Sequence, residues 1–204
     1  MKLRLENKED YFIVENLTRE CFWNVYKPGC IEHLALHKIR NDPCFIPELD
    51  YILEEDNKII GSIVYTKGIL TKDDNNVTDI LMFGPFCIHP EYQKKGYGKK
   101  LVEYTLDKAK NLGYPMVIIT GDPNYYNKFG FVPAANYEIY YKGMSKEEPA
   151  DFLMVKVLDE NNIDDLKGIY NVPKCYEVTD DELLKFDKKF PYKKKEIKKG
   201  QINI

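Results

Sequence analysis

The stretch of this 204-residue chain with the most chemistry in it is Phe86-Cys87-Ile88-His89-Pro90-Glu91-Tyr92-Gln93-Lys94-Lys95-Gly96-Tyr97-Gly98-Lys99-Lys100. An apolar run gives way to a loop with two glycines, and the loop opens onto a segment of helical spacing. A loop of this kind at a helix N-terminus turns several backbone N–H groups outward, and those groups bind anions together with the helix dipole. Gly96 and Gly98 permit close backbone approach and positive φ. Lys94, Lys95, Lys99 and Lys100 add charge, so the unit suits a diphosphate. It is not a Walker loop, which needs GxxxxGK[ST], nor a dinucleotide fingerprint, which needs GxGxxG. The competing reading is a basic loop that caps a surface helix.

Other reactive side chains carry less. Cys87 is conceivable as a nucleophile, but no His or Asp partner is evident, and a buried apolar cysteine is the better reading. His33 and His37 stand four apart on a helix and could share a metal; HExxH is absent and no third ligand is evident, so they read as surface or packing residues. His89-Pro90 shapes the turn into the loop. Trp23, Tyr26 and Phe45 read equally as substrate-side or core aromatics.

The elements that must hold the loop follow from periodicity and punctuation. Lys2–Leu5 alternates as a short first strand, and Asn7 caps a predicted helix over Lys8–Phe22. Tyr26-Lys27-Pro28-Gly29 is a turn, and Cys30–Asn41 a second predicted helix stopped by Pro43. Leu49–Glu55 and Lys58–Leu70 are predicted to form a hairpin across Asp56-Asn57, with Gly61 marking a bulge or a close backbone approach. Val77–Ile88 is a predicted central strand interrupted by Gly84-Pro85, where Pro removes a ladder donor. A predicted helix over Gly98–Leu112 ends at Gly113, and Met116–Thr120 is a short apolar strand. A brief helix is expected around Tyr125–Lys128, later strands at Tyr137–Tyr141 and Phe152–Val157, and a helix at Asp180–Lys188. The order predicts an α/β domain with a mixed, mostly antiparallel sheet and flanking helices.

Ile88-His89-Pro90-Glu91-Tyr92-Gln93-Lys94-Lys95-Gly96-Tyr97-Gly98 resembles the acetyl-CoA signature of the GNAT superfamily, Q/R-x-x-G-x-G/A after a strand and an H-P-x-Y lead-in. Tyr125-Tyr126-Asn127-Lys128-Phe129-Gly130-Phe131 resembles the family's second signature, one helix and one strand further on. The likeness covers roughly residues 1–157, and Pro28–Thr66, with Phe45-Ile46-Pro47-Glu48-Leu49-Asp50, is similar to a branch of small uncharacterised bacterial members. The resemblance implies a V-shaped split between the Val77–Ile88 and Met116–Thr120 strands. The pantetheine arm of acetyl-CoA would pair with the backbone of Phe86, Cys87 and Ile88, and the pyrophosphate would sit on the amides of Gln93, Lys94, Lys95, Gly96, Tyr97, Gly98 and Lys99. A substrate amine would attack the thioester directly. Tyr126 matches the usual general acid, which donates to the departing thiolate; its plain alternative is a core aromatic. Many members carry a Glu on the central strand. Here that strand offers Asp79, near its start, so the base is left open among Asp79, Glu48 and water.

Composition bounds the rest. The net charge is −3; residues 185–204 carry +6 from eight lysines against Asp187 and Glu196, which leaves −9 on residues 1–184. An acidic body is a poor partner for nucleic acid, and around a cleft it would favour cationic amines. Five cysteines without a CxxC pair give no zinc or redox motif and fit reduced thiols in a cytoplasmic protein. No signal core or membrane-length apolar run is present. The expectation is an N-acetyltransferase domain over 1–157 and a C-terminal extension over 158–204, whose Lys-rich end reads as flexible. The domain would take acetyl-CoA as acyl donor and an amine acceptor, with no metal, no nucleic acid and no membrane partner, and with a homodimer left open. The alternatives are an acyltransferase using another acyl-CoA and a non-catalytic acyl-CoA-binding or regulatory module.

Overall fold

Short apolar strands and amphipathic helices form where the alternation and turn residues place them, and most of the predicted boundaries hold to within three residues. The computed structural model describes residues 1–163 and 165–201; Asp164 and the last three residues of the expected extension lie outside the described residues. The chain falls into two compact units, one made of 1–64, 85–101 and the segment from Lys174 onward, the other of 65–84 and 102–173.

In the first unit, β1 (Lys2–Leu5) runs antiparallel to β2 (Tyr51–Glu55), and β2 runs antiparallel to the start of β3 (Lys58–Thr71). The β2–β3 turn places Asp56 at φ 49° and Asn57 at φ 61°, the two positive φ values of the tight hairpin turn that matches strand twist. Gly61 serves both purposes foreseen for it. The register shifts between Leu53 and Glu54 beside it, and a Cβ at Gly61 would come within 2.5 Å of Ile88 Cδ1 and 3.2 Å of the Cys87 carbonyl. Two helices cover the sheet, α1 (Tyr11–Phe22) and α2 (Glu32–Ile39). Helix α1 starts three residues later than predicted. Asp10, at its N-cap, makes no cap bond because its carboxylate goes to Arg4 at 2.6 and 3.0 Å, while Asn7 Oδ1 accepts from Glu9 N instead. Val14, Leu36, Ile39, Ile52, Val64 and Cys175 make one core cluster. Leu34, Leu183, Phe186 and Phe190 make another beneath α5 (Asp180–Asp187), which opens with a Thr179–Glu182 capping box.

The Lys-rich end is not flexible as expected; it is docked on α1 and the turn after it. Trp23 Nε1 and Asn24 Nδ2 both donate to the Lys194 carbonyl at 3.0 Å, Glu196 N donates to Asn24 Oδ1 at 3.1 Å, and Lys193 pairs with Glu20 at 2.6 Å.

A largely buried cluster of four polar residues sits at the end of α5. His33 Nε2 lies 3.0 Å from Asp187 Oδ1, Arg19 Nε donates to the same oxygen at 3.1 Å, and the Cys30 thiol lies 3.4 Å from His33 Nδ1. Arg19 already neutralises Asp187, and burial holds His33 down to about 4 despite the nearby carboxylate. The unfolded imidazole takes its proton near ~6.5, so between about pH 6.5 and 4 the unfolded chain binds a proton that the native chain refuses. Stability is therefore present above the unfolded value and is lost as pH falls, by about 2 kcal/mol between pH 7.5 and 5. Urea denaturation at the two pH values should show this loss, and His33→Gln should remove most of it; an unchanged difference in the variant assigns the titration elsewhere.

In the second unit, the end of β3 and the start of β4 (Val77–Ile88) are joined by β5 (Met116–Thr120), β8 (Leu153–Val157), β6 (Val132–Pro133), β7 (Ile139–Tyr141) and β9 (Gly168–Asn171). β5 is parallel to β4, with Leu81 opposite Val117 and Met82 opposite Ile118, and antiparallel to β8. β8 carries β6, and β9 pairs antiparallel with β3 and parallel with β7. Strands β6 and β9 were not foreseen, and β9 comes from the stretch read as the C-terminal extension. Most of helix α3 (Tyr97–Asn111) also lies in this unit. The fold is mixed α/β, with a mostly antiparallel sheet and flanking helices.

Candidate functional site

The loop after β4 is built by its own hydrogen bonds. His89 N donates to the Ile60 carbonyl at 2.8 Å, which fixes the end of β4 to β3. His89 Nδ1 accepts from Glu91 N at 3.3 Å and the His89 carbonyl accepts from Tyr92 N at 2.8 Å, so Pro90–Tyr92 closes into one tight helical turn. Gln93 Nε2 reaches back to the Ile88 carbonyl at 2.9 Å. The chain then passes through the left-handed region at Lys94 (φ 60°) and Gly96 (φ 85°) and enters α3 at Tyr97, one residue before the predicted start. Gly98 is therefore the second residue of the helix, and the second left-handed position is Lys94, which as a non-glycine pays about 1 kcal/mol for it.

This geometry decides which amides face out. Gln93 N is spent on the Pro90 carbonyl, so of the amides expected to cradle an anion it is already engaged. Among the described residues, no protein acceptor takes the amides of Lys94, Lys95, Gly96, Tyr97 or Gly98. These five precede the first helical bonds, and Lys94, Lys95, Lys99 and Lys100 are exposed around them. Tyr97 hydroxyl donates to Glu55 Oε1 at 3.1 Å and ties the helix start to the β2 end. The arrangement is an open row of donors at the positive end of a 15-residue helix.

On the last residues of β4, side chains alternate across the sheet. Cys87 turns toward α1: its sulfur lies 3.4 Å from Ser62 Oγ and 3.9 Å from Thr18 Oγ1. The side chain is buried, so Cys87 is a packing residue, as the sequence suggested. Ile88 turns the other way, toward Gly61 and Leu101. Neither Cys87 nor Ile88 thus presents a reactive side chain at this end of β4.

The second segment lies in the other unit. Asp122 Oδ1 accepts from Asn124 N at 2.9 Å and starts the short helix α4 (Pro123–Tyr126). Gly130, at φ 81°, ends the turn that follows and sends Phe131 into the core. The Tyr126 ring is half-buried, with ring centroids 6.0 Å from Phe83, 5.8 Å from Phe131 and 5.0 Å from Tyr125. Gly121 lies flat against that ring, where any Cβ would overlap it. Backbone and packing together fix where this phenol sits.

A family model for the acetyltransferase (GNAT) domain matches residues 48–133, a span that includes the loop, α3, β5 and the Tyr126 segment. Within that span the chain is similar to GNAT acetyltransferase domains. Two uncharacterised N-acetyltransferases of Escherichia coli are similar to it: YjhQ, 29% identical over 44% of this chain and 49% of that protein, and YhbS, 26% identical over 68% and 78%. The chain thus spans about half the length of YjhQ. Among solved structures, Escherichia coli YhbS in complex with CoA has a TM-score of 0.73 at 20% identity, covering 86% of this chain and 91% of that one. A GNAT family acetyltransferase from Brucella melitensis in complex with acetyl-CoA has a TM-score of 0.67 at 18% identity, covering 86% and 97%.

The carboxylates considered as a base in the sequence stand in the open. Asp79 is 67% exposed and lies 3.8 Å from Lys67, and Glu48 is exposed. The buried carboxylates that sequence reasoning missed serve the fold: Arg40 bridges Glu6 at 2.6 Å and Glu15 at 3.0 Å, and burial beside Glu6 pushes Asp50 well above the usual carboxylate range. Cys30, His33 and Asp187 have the connectivity of a nucleophile, base and orienting acid. Cys30 is 2% exposed, however, and burial pushes its thiol up, so no substrate meets it. His33 and His37 do not share a ligand, since His37 Nδ1 goes to Glu15 Oε1 at 2.8 Å.

Proposed function

We propose that this protein transfers the acetyl group of acetyl-CoA to a primary amine of a small molecule or protein, by direct attack and without a covalent enzyme intermediate. The observation that carries the reading is the run of outward amides from Lys94 to Gly98 at the head of α3, inside the span that matches the GNAT domain. The pyrophosphate binds there, with Lys94, Lys95, Lys99 and Lys100 balancing its charge, and the pantetheine arm runs along the backbone of Phe86, Cys87 and Ile88. Relatives of the same fold, solved with CoA or acetyl-CoA, support the donor. The neutral amine adds through its lone pair to the thioester carbonyl, the C–S bond breaks, Tyr126 donates to the leaving thiolate, and the surplus proton on nitrogen passes to water. The acidic body favours a cationic acceptor.

The exposure of Asp79 favours a second reading, a module that binds acyl-CoA without turning it over, because no strand carboxylate stands ready as base. Calorimetric titration with acetyl-CoA, dephospho-CoA and longer acyl-CoAs tests the donor site. Micromolar binding that weakens as the acyl chain grows is expected. Preference for a longer chain moves the reading to another acyltransferase, and no binding of any CoA ester reduces the loop to a helix cap.

A further inference from the structure

Cys44 and Cys175 are 131 positions apart in sequence, and their sulfurs lie 3.1 Å apart. Cys44 follows α2 in a turn whose shape is set by Asp42 Oδ1 accepting Cys44 N at 2.9 Å. Cys175 sits in the single helical turn Lys174–Tyr176 that leads toward α5. Cys175 is buried among Val14, Leu36, Ile39, Ile52 and Val64, and Cys44 is half-buried at the edge of the same cluster. The pair therefore joins two remote segments of one unit, with one sulfur reachable by a small solute.

One ligand atom each of Asp42, Cys44 and Cys175 lie within 4.8 Å of one another, which raises a metal as the rival occupant. Two thiolates on a tetrahedral zinc, each at ~2.3 Å, keep their sulfurs about 3.8 Å apart. The observed 3.1 Å is shorter, and Asp42 Oδ1 already accepts from the Cys44 amide. The sulfurs are placed for each other rather than around an ion.

We propose that Cys44 and Cys175 are a reversible disulfide site, closed by a peroxide and reopened by a small thiol. Either thiol can donate its hydrogen to the other at this distance, so each sulfur supports a thiolate on its neighbour, and Cys44, the half-buried partner, is the sulfur that peroxide reaches. Its thiolate attacks one oxygen of hydrogen peroxide, the O–O bond breaks, and the departing hydroxide takes a proton to become water. Cys175 sulfur then attacks the resulting sulfenic acid, the S–O bond breaks, and the hydroxyl leaves as water with the Cys175 proton. Two thiols and one peroxide give one disulfide and two waters. A small thiol reverses this by exchange, itself becoming oxidised. In the closed form the segment before α5 is tied to the turn after α2.

The test uses the full chain and hydrogen peroxide near one equivalent. After denaturation and alkylation, the thiol count is expected to fall from the five of the reduced protein to three, and dithiothreitol should restore five. Trypsin digestion should yield peptide 41–58 joined to peptide 175–185. The melting midpoint of the oxidised protein should rise by roughly 5 °C or more, and Cys44→Ser should show no such rise. If that variant does not fold, the peptide map of the unaltered chain decides by itself. Full alkylation of Cys44 and Cys175 after peroxide overturns the proposal, as does a bridge between any other two of the five cysteines. Stoichiometric zinc in the purified protein, lost in Cys175→Ser, also overturns it and assigns the cluster to a metal.

Discussion

Tyr126→Phe should lower the turnover of acetyl-CoA with an amine acceptor at least tenfold and leave acetyl-CoA affinity within twofold. The substitution removes one hydroxyl and keeps the ring that packs on Phe83 and Phe131 and against Gly121, so the short helix α4 and the turn that follows should persist. On the proposed mechanism, what is lost is a donor to charge that develops on sulfur only as the C–S bond breaks. Such donors are worth a factor of about 10²–10³ when they are well placed, whereas the ground-state thioester sulfur is neutral and a poor acceptor. Full proton transfer is not required for this effect. A phenol near ~10 giving its proton to a thiolate near ~8.5 is uphill by roughly 2 kcal/mol, and a hydrogen bond stabilises the thiolate without that cost. Tyr125→Phe is the control, since it removes a hydroxyl from the neighbouring ring, 5.0 Å away, and should change turnover by less than threefold. Steady-state turnover and calorimetric Kd, measured on both variants, separate the outcomes. Unchanged turnover in Tyr126→Phe removes the acid role, whereas binding without turnover in the unaltered protein favours a module that holds acyl-CoA and does nothing more.

The elements that were easy to read in the sequence are those whose signal is local. β4 and β5 stand at their predicted ends: β5 is a short apolar run, and β4 is a mostly apolar run that keeps its course through Gly84-Pro85 and stops at the His89-Pro90 turn. The hairpin across Asp56-Asn57 is legible because two residues of that kind adopt the required positive φ at little cost. β6 and β9 are hidden for the opposite reason. β6 is two residues, one of them Pro133, and β9 is four residues whose partners, Thr71 and Tyr141 among them, come from elsewhere in the chain. Neither is long enough to show a period. The docked Lys-rich end is a subtler miss. Its side chains look solvated, and many of them are; it is held largely through backbone atoms, the Lys194 carbonyl and the Glu196 amide, which have no side-chain signature. Asn24 receives that segment from a left-handed turn at φ 59°, and a lone Asn in a polar stretch does not announce such a task.

The candidate site was legible as a motif and less so as geometry. Spacing placed the loop, the helix and the Tyr126 segment, yet it assigned the second special backbone position to Gly98. The structure gives that position to Lys94 and starts the helix at Tyr97. A glycine inside a first helical turn leaves no side chain in front of the amides, so Gly98 keeps a reason to be glycine without a positive φ. Gln93 shows the same gap between type and use. Its amide was expected on the anion, but it closes the turn onto Pro90, and its side chain secures the Ile88 carbonyl. Hydrogen-bond accounting of this kind needs coordinates, because the sequence does not reveal which donor is already engaged.

Gly96→Val should weaken acetyl-CoA binding at least tenfold while costing the fold only about 1–2 kcal/mol. Gly96 sits at φ 85°, where a β-branched residue is a genuine outlier, so the loop must leave the left-handed region to accept valine. No heavy atom lies within 4 Å of the Cβ that would be added, so the change reaches the protein through backbone rotation and not through a clash. Rotation at Gly96 re-aims the amides of Lys95, Gly96 and Tyr97, which the proposed diphosphate site needs in convergence. S-acetylpantetheine supplies the contrast, since it carries the arm and the acyl group but no pyrophosphate. If the loop is the anion site, Gly96→Val should leave S-acetylpantetheine affinity unchanged and remove much of the advantage that acetyl-CoA holds over it. If the loop only caps α3, the variant should weaken both ligands equally or neither, with the loss following the drop in stability. Calorimetric titration of both ligands into both proteins, with urea denaturation alongside, distinguishes the two. Lys94→Gly completes the argument: it relaxes the other left-handed residue and removes one lysine charge, so a net loss of acetyl-CoA affinity there gives the share carried by charge, where the Gly96 variant gives the share carried by the amides.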